Sequence, residues 1–201
     1  MLVGPRRVDC MGSGVRRALV VLVSMLVAGV LALGVSVAGS GTASAAGGGV
    51  VEKCGGGEIV LSDKEHKTFQ LHNNIRTDHD LPTFCVHLQL QEAARAHSKD
   101  MIRRDYFSHN TRGRGTFDER LVRFGYGPAG YDYYRVGENI ALGSGAAGAP
   151  QDRMDAWMRS DGHRHNILNE AYREIGIGVK TGEYKGIRGV TMYTVDFGVR
   201  R

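Results

Sequence analysis

The stretch that decides the fold reads Gly137-Glu138-Asn139-Ile140, then Ser160-Asp161-Gly162-His163, then Ile175-Gly176-Ile177-Gly178. Its Glu138 lies in an otherwise apolar strand pattern, and a buried carboxylate needs a partner. Upstream, His109 follows Tyr106-Phe107-Ser108 and is therefore flanked by aromatic residues. We expect Glu138, His109 and His163 to converge on one cleft. Alternatively, Glu138 satisfies backbone N–H groups, and each histidine is an ordinary hydrogen-bonded structural residue.

The first 45 residues have the organisation of a secretory signal peptide. Four arginines precede an almost entirely apolar run from Ala18 to Val37, and Ala43-Ser44-Ala45 fits a small-residue cleavage site. A retained membrane anchor is the alternative, because about 20 apolar residues can span a bilayer. Translation could also start at Met11. We expect a secreted protein, either free or associated with the cell surface.

Length and charge limit the function classes. The 201 residues carry a formal net charge of +5. Cleavage after Ala45 removes four of the 26 basic residues and one of the 21 acidic ones, which leaves +2. Residues 46–201 suffice for one domain, which we expect to be a monomer. Without a clustered basic stripe the chain is not expected to bind nucleic acid.

Two cysteines remain after cleavage. Cys10 leaves with the signal peptide, whereas Cys54 and Cys85 form an even pair in an oxidising compartment. We predict a disulfide between them, which closes a loop of about 31 residues and contributes about 3–4 kcal/mol in the chain-entropy description. A catalytic thiol is less favoured, because neither cysteine lies beside a histidine in a recognisable motif.

The order of the predicted elements indicates an α+β fold. Residues 46–61 are Gly-rich and are expected to be a flexible lead-in to a domain over 62–201. Ser62 with Glu65, and Thr116 with Glu119, form capping boxes that start two helices. Further helices are predicted over 88–104, 150–159 and 163–168, and strands over 135–142, 175–179 and 190–199.

Several catalytic motifs are missing from the sequence. The chain has no H-E-x-x-H, no G-x-x-x-x-G-K-[ST] and no C-x-x-C, and Gly143-Ser144-Gly145 does not match a G-x-S-x-G nucleophile elbow. His163 and His165 are two residues apart, so on a helix they would not share a face and would chelate poorly. No recognisable nucleophile is left.

Taken together, the fragments resemble the CAP superfamily, and in particular its shorter bacterial secreted branch. That superfamily comprises cysteine-rich secretory proteins, venom antigens and plant pathogenesis-related proteins. The resemblance covers about residues 66–197. It rests on the motifs around His109, Glu138, Trp157, His163 and Gly176, and on His72-Asn73 with Arg76 in the first helix. The extra cysteines of the eukaryotic branch are absent from the sequence.

The resemblance implies a three-layer α-β-α sandwich with a central antiparallel sheet. It also implies a cleft with two histidines and two acids. His109, Glu138 and His163 match three of these positions, and Asn139 follows the glutamate. The second acid falls three residues after the tryptophan in the family, where this chain has Ser160. The set of four is therefore incomplete.

Two functions fit this cleft. The first is non-catalytic binding of a lipid or another cell-envelope ligand, since the resemblance includes proteins that bind sterols and other lipids. The second is a metal-assisted, protease-like hydrolase, with Glu138 as general base and His109 or His163 polarising the substrate or holding a metal. The missing acid and the missing nucleophile favour the first. A purely structural envelope protein is a third alternative.

The two histidines also predict a weak metal site. Neutral imidazoles suit zinc and similar divalent ions, and solvent would have to fill the remaining positions. We predict modest zinc binding through His109 and His163 at neutral pH. Because protonated imidazole cannot ligate a metal, binding should be lost below about pH 5.5.

Overall fold

A four-stranded sheet forms the centre of this computed structural model, which describes residues 48–201. The predicted signal peptide and cleavage site lie outside the described residues. The strands are β1 (Gly48–Glu52), β2 (Glu58–Ser62), β3 (Cys85–Val86), β4 (Tyr134–Ser144), β5 (Glu174–Tyr184) and β6 (Ile187–Arg200). The helices are α1 (Asp63–Asp78), α2 (Leu88–Arg103), α3 (Phe117–Arg123), α4 (Pro150–Met158) and α5 (Asp161–Leu168), with a short 3-10 helix over Gly145–Gly148.

The central sheet has the strand order β3-β5-β6-β4. The three long strands pair in antiparallel fashion, and the two-residue strand β3 adds to β5 in parallel. The predicted antiparallel sheet is therefore confirmed for the long strands, with one short parallel addition at the edge. Strand β4 forms the opposite edge and carries Glu138 and Asn139.

Helices cover both faces of the sheet, as an α-β-α sandwich requires. On one face, Leu71 of α1, Trp157 of α4 and Ile167 of α5 are buried against Ile177 and Val195 of the sheet. On the other face, Leu90 and Ala93 of α2 pack with Leu121 of α3. Burial of these large side chains supplies the main free energy of folding, at roughly 25 cal/mol per Å² of apolar surface.

The Ile-Gly-Ile-Gly repeat of β5 explains how closely α2 approaches the sheet. Successive strand residues point to opposite faces, so Ile175 and Ile177 enter the core while Gly176 and Gly178 face α2. A Cβ atom on either glycine would collide with backbone atoms of α2 near Leu90 and Ala94. The two glycines therefore let the helix backbone rest directly on the strand.

Buried Arg76 fixes α1 to the end of α5. Its Nη1 donates to the carbonyl oxygens of Ile167, at 2.9 Å, and Asn169, at 3.0 Å, and its Nε donates to that of Pro82 at 2.7 Å. A buried cation with several carbonyl partners holds chain segments that are far apart in sequence. The helix that carries His163 is thereby tied to the first helix.

The N-terminal segment is more ordered than its glycine content predicts. The sequence indicates a flexible lead-in over 46–61, but β1 and β2 pair in an antiparallel hairpin within residues 48–62. Leu61 anchors the hairpin because it is fully buried in the core. Gly55, Gly56 and Gly57 all have positive φ and form the connection. The predicted disulfide between Cys54 and Cys85 is present and joins this segment to β3.

The helix boundaries follow the capping signals closely. Both predicted capping boxes form, with Ser62 before α1 and Thr116 before α3. Gly125 has φ +87 after α3, as expected of a residue that ends a helix in the left-handed conformation. Between residues 48 and 201, no helix has both the length and the apolarity that crossing a membrane requires.

Candidate functional site

His109 and Glu138 form the first contact of the site. His109 Nδ1 lies 2.7 Å from Glu138 Oε1. A carboxylate only accepts hydrogen bonds, so Nδ1–H donates and Nε2 is left as the free ring nitrogen. The Glu138 side chain is almost completely buried, whereas the His109 side chain is 49% exposed. Glu138 thus holds His109 through Nδ1 and leaves Nε2 free to bind a ligand.

A buried arginine occupies the second oxygen of Glu138. Arg120 Nη2 pairs with Glu138 Oε2, and the Arg120 side chain is only 3% exposed. The same guanidinium donates from Nη1 to the His109 carbonyl oxygen at 2.9 Å and to Thr111 Oγ1 at 3.2 Å. Both carboxylate oxygens of Glu138 are therefore already hydrogen-bonded within the protein.

Asp196 brings a second buried carboxyl group to the same place. It pairs with Glu138 across β4 and β6 and is fully buried. Arg120 Nη2 lies 3.8 Å from its Oδ1, and neither carboxyl oxygen of Asp196 has a hydrogen-bond partner among residues 48–201. Two buried acids therefore share one cation.

Burial decides the protonation of this pair. Burial raises the pKa of Glu138 to about 7, although Arg120 opposes the shift. Burial, and then the charge of Glu138, raise the pKa of Asp196 well above its usual range. Asp196 lacks the direct contacts that Glu138 has, so it is the member that keeps its proton. Glu138 can then carry the charge that pairs with Arg120.

The loop that carries His109 is held from both neighbouring helices. His97 of α2 donates from Nε2 to the carbonyl oxygen of Ser108 at 2.8 Å. The Tyr106 hydroxyl donates to Asp100 Oδ2 at 2.7 Å. His97 and Arg120 therefore hold the carbonyl oxygens of two successive residues, Ser108 and His109, in a segment of irregular backbone. The position of His109 therefore depends on side chains from α2 and α3.

The second histidine is held by neutral partners. His163 Nδ1 lies 2.8 Å from Ser160 Oγ, at the N-terminus of α5. Asn139 Nδ2 donates to the His163 carbonyl oxygen at 3.0 Å, and Asn166 Nδ2 donates to Asn139 Oδ1 at 2.9 Å. Ser160 therefore orients His163 at the position where the family has its second acid.

Strand β4 holds the two histidine-bearing segments from opposite faces. Neighbouring strand residues point to opposite sides, so Glu138 faces α3 while Asn139 faces α5. Burial lowers the pKa of both histidines. Burial and then the neighbouring His109 lower the pKa of His163, and burial and then Arg120 lower that of His109. Near neutral pH both imidazoles are therefore neutral. Each is positioned through Nδ1, which leaves its Nε2 unused.

Comparison with known proteins identifies the family. The model described as "CAP: Cysteine-rich secretory protein family" matches residues 69–197. This chain belongs to the CAP family. The match includes α2, α3, α4 and α5, and it also includes every residue described above for the site.

Two curated relatives of this CAP domain come from Bacillus subtilis. It is 36% identical over 118 residues to the uncharacterized protein YkwD of Bacillus subtilis (strain 168), which covers 59% of this chain and 43% of YkwD. It is 31% identical over 125 residues to the uncharacterized membrane protein YlbC of the same strain, covering 62% of this chain and 34% of YlbC. The chain thus spans less than half the length of these curated relatives.

Solved structures share the fold. An extracellular protein containing a SCP domain from Bacillus anthracis str. Ames has a TM-score of 0.53 and 29% identity, with 73% of this chain and 47% of that one covered. An outer surface protein from Borrelia burgdorferi has a TM-score of 0.53 at 18% identity, with 66% and 90% covered. The second likeness concerns the fold alone.

The CAP domain contains two site residues that sequence reasoning missed, Arg120 and Asp196. Asp196 left a signal, because it is an acid between Val195 and Phe197 in a strand of apolar residues. Arg120 left none, since it follows a capping box in a short helix of mixed charge. The predicted residues His109, Glu138, Asn139, Ser160 and His163 lie in one connected set of contacts.

The donor set limits what metal this CAP site could hold. Within the described chain, no group of three or more His, Cys, Asp or Glu side chains is arranged to bind a metal ion. The oxygens of Glu138 are engaged by His109 and Arg120, which leaves the Nε2 atoms of His109 and His163. An ion bound here would therefore have two protein ligands at most.

Proposed function

We propose that this protein is a secreted CAP-domain binding protein, whose cleft takes the polar part of a cell-envelope ligand. The proposal depends on the hydrogen bonds and the burial of Glu138. Both of its oxygens are hydrogen-bonded inside the protein and its side chain is only 1% exposed, so it positions His109 and is out of reach of a substrate proton. Binding through imidazole nitrogens is the chemistry that remains.

The surroundings of His109 support a ligand with both polar and apolar parts. Phe107 is 41% exposed, two residues before His109. An exposed aromatic side chain two residues from a hydrogen-bonding imidazole can stack on a sugar ring or on the glycerol region of a lipid headgroup while Nε2 bonds a hydroxyl. We therefore expect a cell-wall glycan or a lipid headgroup in the cleft.

Native mass spectrometry of the protein purified from its own host is the first test. A co-purifying glycan fragment or lipid is the expected result. Wild type and the His109→Ala and His163→Ala variants are then titrated with cell-wall fragments and, separately, with vesicles of host lipid. Both variants should bind at least about tenfold more weakly, because each loses one oriented hydrogen bond in the cleft.

His165→Ala is the matched control, since His165 lies on the same helix as His163 and is exposed. It should bind like wild type. Equal affinity of the wild type and the two cleft variants for every ligand would contradict the proposal. Binding of vesicles alone would identify the lipid source, and binding of wall fragments alone would identify the glycan source.

We also propose that the cleft holds a weakly bound divalent metal. Metal-ligating histidines usually donate their other ring N–H to a carboxylate or a carbonyl oxygen, as His109 does to Glu138. His109 and His163 would hold the ion through Nε2, and bound zinc would supply a Lewis acid. A hydrolase that uses this ion is the second candidate function.

Calorimetry with zinc tests the metal site. Modest binding at neutral pH should be abolished by His109→Ala and by His163→Ala, with little change in folding. Because the pKa values of both histidines are lowered by burial, protons should displace the metal only below the usual titration range of imidazole. A wild type without zinc affinity, or a variant that binds equally well, would refute the metal proposal and leave the ligand proposal standing.

A further inference from the structure

Positive charge is concentrated around the loop between α2 and α3. Residues 99–124 carry seven basic and four acidic side chains, out of 22 and 20 in residues 46–201. That leaves 15 basic and 16 acidic side chains elsewhere, so the net positive charge of residues 46–201 comes from this segment. Its exposed arginines, here called the arginine surface, are Arg103, Arg104, Arg112, Arg114 and Arg123.

Most of these cations have no acidic partner. Within residues 48–201, no ion pair shorter than 4.0 Å involves Arg103, Arg112, Arg114 or Arg123. Arg104 reaches only Asp100, at 3.4 Å. Two further acids of the segment, Asp105 and Glu119, accept hydrogen bonds from backbone N–H groups. The arginine surface is therefore a set of mostly unpaired cations.

A tight turn holds the arginines at the centre of this surface. Thr111 N–H donates to the Gly115 carbonyl oxygen at 2.9 Å, and Arg114 N–H donates to that of Thr111 at 2.9 Å. Gly113 and Gly115 have φ values of +72 and +94, which glycine adopts most readily. The turn therefore presents Arg112 and Arg114 from a hydrogen-bonded backbone.

Neighbouring arginines are brought together without being neutralised. Arg104 Nη1 donates to the Arg112 carbonyl oxygen at 2.7 Å, and Arg112 Nη1 donates to that of Arg104 at 3.0 Å. A guanidinium group has several N–H donors, so both side chains retain donors for a ligand. Arg114 and Arg123 border one hollow between the turn and α3. Clustered charges of one sign raise the local potential and attract ligands of the opposite sign.

A second hollow, of about 470 Å³, connects the arginine surface with the His109 segment. Ser108 and Asn110, on either side of His109 in the sequence, line it together with Arg112 and Thr116. Its wall therefore offers hydroxyl, amide and guanidinium groups. Hydroxyls and amides bind the hydroxyl groups of sugars and polyols, and guanidinium groups bind oxyanions.

We propose that the arginine surface binds a linear polyanion of the cell envelope, in which phosphate or carboxylate groups repeat along a chain of sugars or polyols. The guanidinium groups pair with successive anions, and the hollow takes a hydroxyl-bearing unit between them. A bilayer of anionic lipid also repeats negative charge, but its flat surface does not enter the hollow. The arginine surface uses neither cleft imidazole, so this inference does not rest on the proposed function of the cleft.

Fluorescence anisotropy with labelled polymers tests the proposal. Inorganic polyphosphate and polygalacturonate are the two charged probes, and dextran is the neutral one. At least one charged polymer should bind, and dextran should not. A preference for polyphosphate would indicate a phosphate-bearing polymer as the source, and a preference for polygalacturonate would indicate an acidic glycan. Contact with about four charged groups should give a slope of about −3 in log K against log salt concentration, at about 0.7 per contact.

Substitutions on the arginine surface should weaken this binding in steps. Arg112→Gln with Arg114→Gln should weaken it by about tenfold at low salt, and adding Arg123→Gln by about a further threefold, because each exposed charge contributes modestly. All three side chains are exposed, so folding should not change. Lys67→Gln with Arg159→Gln is the matched control, since it removes two exposed charges from the side of the sheet that α1 and α4 cover. This control should bind like wild type.

His109→Ala separates the arginine surface from the cleft. It should bind the charged polymers within about twofold of wild type, because it removes no cation of this surface. The proposal is overturned if neither charged polymer binds, if dextran binds as well as they do, or if vesicles of phosphatidylglycerol bind and both polymers do not. It is equally overturned if the triple arginine variant keeps the wild-type affinity, or if the Lys67 and Arg159 control loses as much.

Discussion

The two histidines of the candidate site are held by different kinds of force. His109 depends on buried charges, since Glu138 is paired with Arg120 and lies beside Asp196. His163 depends on a serine hydroxyl and on asparagine amides. Buried charges are costly unless every partner is present, and breaking such a pair costs about 3–5 kcal/mol. A neutral hydrogen bond contributes only about 0.5–1.5 kcal/mol. The His109 half should therefore be fragile and pH-sensitive, and the His163 half tolerant.

Removal of Arg120 should produce the largest effect. Arg120→Met leaves two buried carboxyl groups without a cation, and we expect a loss of about 3–5 kcal/mol in the free energy of unfolding. Urea denaturation at pH 7 measures it. Arg123→Met, on the exposed side of the same helix, should change stability by less than about 0.5 kcal/mol.

A double variant sharpens this prediction. Arg120→Met combined with Asp196→Asn removes one of the two acids and should recover part of the lost stability. Full stability in Arg120→Met, or no recovery in the double variant, would show that His109 is not anchored by charge.

Trp157 supports the His163 half through apolar packing. It is 2% exposed, and its Nε1 donates to the Ile140 carbonyl oxygen at 3.2 Å. Trp157→Phe should lower the free energy of unfolding by about 1–3 kcal/mol, through lost volume and one lost hydrogen bond. The loss should be equal at pH 6.5 and pH 9, because no charge is involved. A loss that depends strongly on pH would contradict the assignment of this half to neutral forces.

The pH dependence of stability should come from the His109 half. The folded pKa values of Glu138 and Asp196 lie above those of the unfolded chain. The native state therefore binds more protons than the unfolded state between the unfolded and the folded pKa values, and stability falls as pH rises through about 7 and beyond.

Asp196→Asn removes the acid with the fully buried carboxyl group and should flatten this decline between pH 6.5 and 9. Chemical denaturation at several pH values measures the slope. Asp132→Asn, an exposed loop substitution, should keep the wild-type slope. An unchanged slope in Asp196→Asn would show that the buried pair does not control it.

Ser160 should give the smallest effect on stability. Ser160→Ala removes the hydroxyl beside His163 Nδ1 and should cost less than about 1 kcal/mol. Ser160→Asp instead places an acid where the family has one, and a carboxylate partner raises the basicity of a metal-ligating imidazole. We expect zinc affinity to rise by about tenfold in that variant. A large loss of stability in Ser160→Ala would remove the contrast between the two halves.

Local signals in the sequence determined the element boundaries and most of the architecture. The capping boxes at Ser62 and Thr116 start their helices because they satisfy backbone N–H groups within a few residues. The glycines of β5 allow the backbone of α2 to lie directly against the strand. The family motifs named His109, Glu138 and His163. The ordered hairpin over 48–62 was not predicted, because its order depends on Leu61 reaching a distant core.

Only the tertiary structure decided how the site is charged. Asp196 meets Glu138 because β4 and β6 pair in one particular register, and a shift of one residue would turn its side chain to the other face. Arg120 reaches both acids because α3 packs on the same face of the sheet as α2. Contacts between residues far apart in the chain leave no periodicity or spacing in the sequence. The sequence therefore predicted the two histidines of the candidate site, and the fold decided that Glu138 is the anchor of His109.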